Sequence, residues 1–185
     1  MVEVEATELP AVKIVKPKRF GDSRGFFSEV YNKQAFADVG IDLEFVQDNH
    51  SLSGRAGTLR GLHFQTAPFA QDKLVRVTRG RILDVAVDLR RSSPSFGRHV
   101  AVELSAENWL QLLVPIGFAH GFCTLEDDTE VIYKVSNYYS AAHDKGIAWN
   151  DPALGIGWPV TEAQATLSEK DRHHPRLAEC SDVFP

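Results

Sequence analysis

An all-β domain, a β-sandwich or jelly roll, is the fold class predicted by this sequence. Three observations predict it. Apolar residues recur at every second position in several segments, which gives strands two unlike faces. Turn-forming residues punctuate the chain at short intervals, as in "TRGR" and "RRSSPSFG". Helical periodicity, by contrast, is sparse, and many short strands in one chain suit a two-sheet architecture.

Along the chain, "NKQAFADVG" (32–40) is the clearest helix: Asn32 suits an N-cap, Phe36 and Val39 share one side, and Gly40 is a stop. "LRGLHFQ" (59–65) alternates with one parity polar: His63 and Gln65 face opposite to Leu62 and Phe64, while Gly61 permits a bulge that re-aims Arg60. "TRGR" (78–81) reads as a hairpin turn leading into "RILDVAVDL", where Leu83, Val85, Val87 and Leu89 alternate with Asp84, Ala86 and Asp88. "RRSSPSFG" (90–97) is a longer loop. In "HVAVEL", Val100, Val102 and Leu104 share a face. "SAEN" (105–108) suits a single helical turn, and "EVIYKV" places Val131, Tyr133 and Val135 together. From "AHDKGIAWNDPALGIGWP" onward the chain is rich in Gly, Pro and Trp, as expected of loop laid over a surface. No repeat or linker divides residues 1–185, so one domain is expected.

Composition narrows the function. With 43% hydrophobic residues among 185, the chain can bury a core of its own. A net charge of −5 opposes wholesale binding to nucleic acid or an anionic membrane. The acidic start "MVEVEATELP" lacks the features of a signal peptide, and no apolar run approaches the roughly 20 residues that cross a bilayer. Cys123 and Cys180 share no CxxC spacing, which suits two reduced thiols in the cytoplasm.

His63 is the residue on which the functional reading turns. As a metal ligand on a barrel strand it calls for a second His and a carboxylate nearby. Position 65 is instead a neutral amide, and no acid follows before Asp72. The PxGxxH segment "PIGFAH" delivers His120 after a Gly turn, so His63 and His120 form a sparse metal pair at best. As a structural residue, His63 fills a core. As a base, it uses the polar face that it shares with Gln65, which implies a wet cavity in place of a closed interior.

Four segments, "RGLHFQ", "KLVRVTRGRILDVAVDLR", "PIGFAHGF" and "WNDP…GWP", in this order and spacing, closely resemble the dTDP-4-dehydrorhamnose 3,5-epimerase family over about residues 12–175. The resemblance implies a cupin-like jelly roll, a homodimer, and epimerisation of a dTDP-4-keto-6-deoxy sugar with neither metal nor cofactor. It implies His63 as base, Asp171 as its carboxylate partner, Tyr133 as proton donor and Lys73 as the cation at the enolate oxygen. For the nucleotide-sugar substrate it implies Arg24 and Arg60 at the diphosphate, with Glu29, Gln47, Asp48 and Asn49 also at the nucleotide. Tyr139 would stack on thymine, with Tyr138 as the neighbour most easily confused with it. His120, Asp144 and Lys170 fall on the remaining substrate-contacting positions, Asp144 standing where the family frequently has Glu. An amino-terminal strand arm in "AVKIVKPKRF" would suit pairing across the dimer. His143, His173 and His174 lie in polar loops and read as surface residues.

Three rival functions follow from the same residues. A mono-epimerase on another nucleotide-linked keto sugar shares every catalytic residue. A metal-dependent cupin would use His63 and His120. A silent sugar-nucleotide-binding protein is disfavoured by the joint presence of His63, Tyr133 and Lys73.

Overall fold

Alternation at a spacing of two builds two antiparallel sheets in the computed structural model, which describes residues 2–185. One sheet has six strands, in the order Val2–Ala6 (β1), Lys13–Pro17 (β2), Gln111–Val114 (β10), Lys73–Arg79 (β7), Thr129–Val135 (β12) and Gln47–Ser53 (β5). The other has five: Asp144–Gly146 (β13), Leu59–Gln65 (β6), Phe118–Thr124 (β11), Arg81–Asp88 (β8) and His99–Ser105 (β9). Arg19–Asp22 (β3) and Gly25–Ser28 (β4) form a separate hairpin. The jelly-roll expectation holds. No helix among the described residues is long and apolar enough to cross a membrane.

The inward faces of the sheets meet in a core that includes Val75, Val77, Leu112 and Val131 from the six-stranded sheet. Ile82, Ala86, Val100, Leu104 and Phe122 answer them from the five-stranded sheet. Each fully buried Val, Leu, Ile or Phe among them contributes about 1.5–3 kcal/mol. Val100, Val102 and Leu104 point inward as their spacing predicts. The β8 alternation has a different outcome: Leu83, Val85, Val87 and Leu89 point outward, yet most of that face is buried too. Leu154, Ile156, Trp158, Leu177 and Phe184 cover it, so the Gly- and Pro-rich carboxy-terminal third is indeed loop laid over a sheet.

One local expectation changes. "TRGR" is a corner and not a hairpin: Gly80 (φ 75°) joins β7 to β8, but these strands lie in different sheets. Glycine is required there because a Cβ would stand 2.3 Å from Thr129 Oγ1. The turn signal fixes a local reversal and carries no information about which strand will pair. "SAEN" forms the single helical turn expected of it, closed by Trp109 N–H donating to Ser105 O (3.1 Å) and not continued into a helix. The helix at Lys33–Ala37 (α1) forms as expected, with the Asn32 side chain accepting from Ala35 N–H at 3.1 Å and Phe36 buried against the outer face of the six-stranded sheet. The strand within "AVKIVKPKRF" is already paired inside the chain on both sides, with β1 and with β10.

Candidate active site

Arg60 and His63 are three residues apart, so a regular strand would send them to opposite faces. Gly61 prevents this. Between the pairs His63↔His120 and Arg60↔Phe122, β6 spends three residues where β11 spends two. The extra residue is a bulge, and Gly61 (φ 132°) lies against Gly121, whose Cα would be 2.5 Å from an added Cβ. Arg60 and His63 therefore both line the inter-sheet space, while Leu59 and Leu62 point outward into the apolar layers beneath the carboxy-terminal segment.

That space holds two adjoining cavities of about 340 and 260 Å³, which share His63, Lys73 and Tyr133. His63 belongs to the five-stranded sheet and Tyr133 to the six-stranded sheet, so imidazole and phenol approach the cavity from opposite walls. His63 Nε2 lies 2.5 Å from Asp171 Oδ1. Asp171 arrives from the carboxy-terminal segment on a short helix, Glu169–Arg172 (α2), capped by Ser168. Ser168 Oγ donates to Asp171 Oδ2 at 2.8 Å, and the carboxyl is only 4% exposed. Leu59 N–H donating to Thr166 O (3.0 Å) moors this segment beside β6.

The electrostatics suit proton transfer. Burial pushes the His63 imidazole below its ordinary value, with Asp171 opposing and Lys73 and Lys170 assisting. Burial alone would raise the Asp171 carboxyl, but His174, His63 and Ser168 together hold it well below the usual carboxylate range. Burial lowers Lys73 from 10.5 to about 8, against the pull of Asp144 and Asp84. Burial also raises the Tyr133 phenol, keeping its proton in place at neutral pH, although the nearby Arg60 works the other way.

The sequence-predicted residues divide into three groups. Gln47, Asn49, Tyr139 and Asp144 line the cavity with His63, Lys73 and Tyr133. Arg60, His120, Lys170 and Asp171 line its neighbour. Tyr139, and not Tyr138, faces the cavity, and its hydroxyl donates to Asp144 Oδ2 at 3.1 Å. Lys170 also pairs with Asp144. Three residues lie elsewhere. Asp48 alternates with Gln47 and Asn49, so it turns to the outer face, where it pairs with Lys134 at 2.9 Å. Arg24 and Glu29 belong to the β3–β4 hairpin region. Arg24 is 88% exposed and pairs with Asp22, and Glu29 accepts from Asn32. The hairpin is held by Trp109, whose ring meets Phe26 at 4.9 Å. Trp109 precedes β10, and β10 runs from Gln111 opposite Arg76 to Val114 opposite Lys73, so the hairpin docks at the end of the sheet away from Lys73.

Some functional neighbours escaped the sequence reading. Asp84 is fully buried and meets His120 Nε2 at 2.7 Å, and its signal was an acid at an inward position of a strand buried on both faces. Gln65, at the position where a barrel metal site would want a second His, ties down loops instead. Its amide donates to Phe69 O and Tyr138 O and accepts from Ser140 N–H. His174 is not a surface residue, since its side chain is only 10% exposed beside Asp171. His143 is half-buried and bonded to Ser140, and His173 is exposed.

The donor set argues for protons over a cation. His63 and His120 are cross-strand partners, but each Nε2 already meets its own carboxylate. His63, Asp171 and His174 offer ligand atoms within 4.8 Å of one another. Yet Lys73 and Lys170 both act on His63 with charges that oppose a dication.

Comparison with known proteins agrees with this geometry. The family model described as dTDP-4-dehydrorhamnose 3,5-epimerase matches residues 6–179. A protein of that name from Sinorhizobium fredii is 54% identical over 180 residues, covering 97% of this chain and 92% of its own. Among solved structures, the dTDP-4-dehydrorhamnose 3,5-epimerase of Bacillus anthracis, with TDP and PPi bound, superposes with a TM-score of 0.92 at 53% identity, covering 95% of this chain and 99% of the other. The dTDP-6-deoxy-D-glucose-3,5-epimerase of Legionella pneumophila, in complex with dTDP-4-keto-L-rhamnose, gives 0.92 at 43% identity, covering 97% and 94%. Matched by that family model over most of its length and by these relatives across nearly all of it, the chain belongs to the dTDP-4-dehydrorhamnose 3,5-epimerase family.

Proposed function

We propose that this chain converts dTDP-4-dehydro-6-deoxy-D-glucose to dTDP-4-dehydro-L-rhamnose, a step of dTDP-L-rhamnose biosynthesis, by inverting C3 and C5. The observation that carries the reading is the facing of a carboxylate-backed imidazole and a protonated phenol across one cavity, with a buried lysine beside them. The ketone at C4 acidifies C–H at both neighbours, because either carbanion delocalises onto O4. His63 takes the proton from one face, and the electron pair moves to O4 as an enolate. Lys73 stabilises that oxygen, where charge appears only as the proton leaves. Tyr133 then returns a proton to the opposite face, and the centre is inverted. Exchange of the imidazolium proton and the phenolate with water resets both groups for the second carbon. Asp171 stabilises the imidazolium and fixes the ring orientation, the part an acid plays in other His-based sites.

The diphosphate falls to arginines, whose forked donors suit it. Arg60 is in the cavity, whereas Arg24 and Glu29 are on a hairpin remote from it. We assign those two to the pocket of a second copy in a homodimer. Support comes from the hairpin itself, which exposes Phe20, Phe26 and Phe27 at 49, 55 and 70% in the single chain. Two free, buried thiols, Cys123 and Cys180, suit a cytoplasmic location.

Incubation with the keto sugar in D₂O, followed by NMR, tests the activity. Deuterium at both C3 and C5 is expected. Label at C3 alone would make the protein a mono-epimerase, and no label would end the acid–base reading. Mixing Arg24→Ala and His63→Ala chains tests the assembly, since a shared site restores activity in the mixture that neither variant has alone.

A further inference from the structure

A second imidazole leans on the carboxylate of the base, and the mechanism above does not use it. His174 Nε2 lies 3.7 Å from Asp171 Oδ1, the same oxygen that His63 Nε2 meets at 2.5 Å. The two rings meet edge to face, 5.4 Å between centroids. His174 Nε2 is buried and has no hydrogen-bond partner, an arrangement that folded proteins avoid unless something compensates. The acceptor that these contacts bring near it is the Asp171 oxygen, about half an ångström beyond hydrogen-bonding reach.

Space for this ring is built into the neighbouring strand. Gly146 is the cross-strand partner of His63, and a Cβ on it would stand 2.5 Å from Cε1 and Nε2 of His174. The backbone following the ring is fixed as well, with Ala148 N–H donating to Pro175 O at 2.7 Å. Strand β6 and the segment after α2 thus converge on one shared oxygen, and β13 leaves room for the second ring.

We propose that His174 is a positioning residue for this reaction, its N–H drawn onto Asp171 Oδ1 in the free protein so that two imidazoles share one carboxylate. The consequence lies in how strongly His63 holds a proton. A carboxylate that also accepts from His174 gives less of its charge to the His63 imidazolium, so the base returns to its neutral form more readily. Removing His174 leaves Asp171 wholly to His63 and raises the proton affinity of the base. The other groups around the array are unchanged by that removal: Lys73 from β7, Lys170 from α2, His120 from β11, Tyr133 from β12 and Asp144 from β13. Lys73 and Lys170 push His63 in the same direction as His174, so neither cancels the effect.

The proposal rests on His63 acting as the base, and the test separates the two. The pH dependence of kcat/KM for solvent-deuterium uptake into the keto sugar is measured in the wild-type chain and in His174→Phe, which keeps a ring and loses the N–H. The acid limb is expected to move up by roughly half a pH unit in His174→Phe. His174→Gln, which places an amide donor near the Nε2 position, should bring the limb back toward wild type. Gly146→Ala, which evicts the ring without removing any polar group, should shift it as His174→Phe does. An acid limb that stays in place in both His174→Phe and Gly146→Ala overturns the role of His174 and leaves the base assignment intact. A wild-type chain without deuterium uptake overturns the base assignment itself. Should His174→Phe fail to fold, imidazole NMR of the wild-type chain decides. Mutually dependent titration of His63 and His174 is expected, and independent titration overturns the proposal.

Discussion

Replacing Lys73 by methionine should stabilise the protein and silence it. Burial lowers the ammonium from 10.5 to about 8, so the fold disfavours the charged form. At about 1.4 kcal/mol per pKa unit, the shift corresponds to roughly 3 kcal/mol. Lys73 keeps some contact with the open cavity, and screening there reduces the figure to about 2 kcal/mol. Below pH 8 the lysine is protonated both folded and unfolded, and the whole cost is present. Between 8 and 10.5 the folded chain has released its proton while the unfolded chain retains it, so the cost shrinks. Above 10.5 it is gone. Lys73→Met is therefore expected to exceed wild type by about 2 kcal/mol at pH 7, or roughly 4–8 °C in Tm for a chain of this size. The advantage should fade as pH rises through 8–10.5. Denaturant unfolding at pH 7 and pH 10 measures both. A variant less stable than wild type at pH 7, or an advantage that does not depend on pH, refutes the reasoning. Activity should fall by about 10²–10³, the usual cost of removing a group that stabilises developing negative charge.

Other outcomes follow from the same geometry. His63→Ala should abolish deuterium uptake from D₂O, whereas Tyr133→Phe should still wash label in from the His63 side while failing to invert, a split that NMR of recovered sugar reads directly. The kcat/KM profile should fall on the acid side as pH drops through the depressed His63 value, below 6.5, and on the alkaline side as Lys73 loses its proton near 8. An alkaline limb above 10 would place the required proton on Tyr133 instead. Gly61→Ala should cost about 2–4 kcal/mol of stability, because both its backbone angle and the approach of Gly121 exclude a side chain. A thermal melt checks it.

Which parts of this site were legible in the sequence follows from the reach of each signal. The polar parity of His63 and Gln65, the bulge at Gly61 and the inward run Val131–Tyr133–Val135 are local, fixed by a strand's period of two. Pairing is not local, and so "TRGR" carries a hairpin signal although the strands it joins lie in separate sheets. Asp48 shows how far a motif can mislead: "QDN" is contiguous in sequence, but alternation turns its middle residue away from its neighbours. Asp171 and His174 sit in a polar run whose pattern says only that it is exposed. Their burial comes from the carboxy-terminal segment folding back along β6, a contact 108 residues distant in the chain.

On the mechanism proposed above, that return of the chain is how one fold meets the demands of inversion. A base and an acid must stand on opposite faces of one ring, and neither a single strand nor a single sheet face offers two opposed walls. Two packed sheets do, with His63 on one and Tyr133 on the other. The sheets do not by themselves supply a buried carboxylate behind the base, because the residue flanking His63 on its own face, Gln65, is committed to holding loops. The acid has to come from outside the sandwich, and α2 brings it to the end of His63 Nε2 with Ser168 fixing its other oxygen. Loosening that segment, as Ser168→Ala would by freeing Asp171 Oδ2, should lower kcat more than it raises KM, since it acts on the imidazolium formed in the transition state and not on the resting substrate. A change confined to KM would mean that α2 serves binding alone.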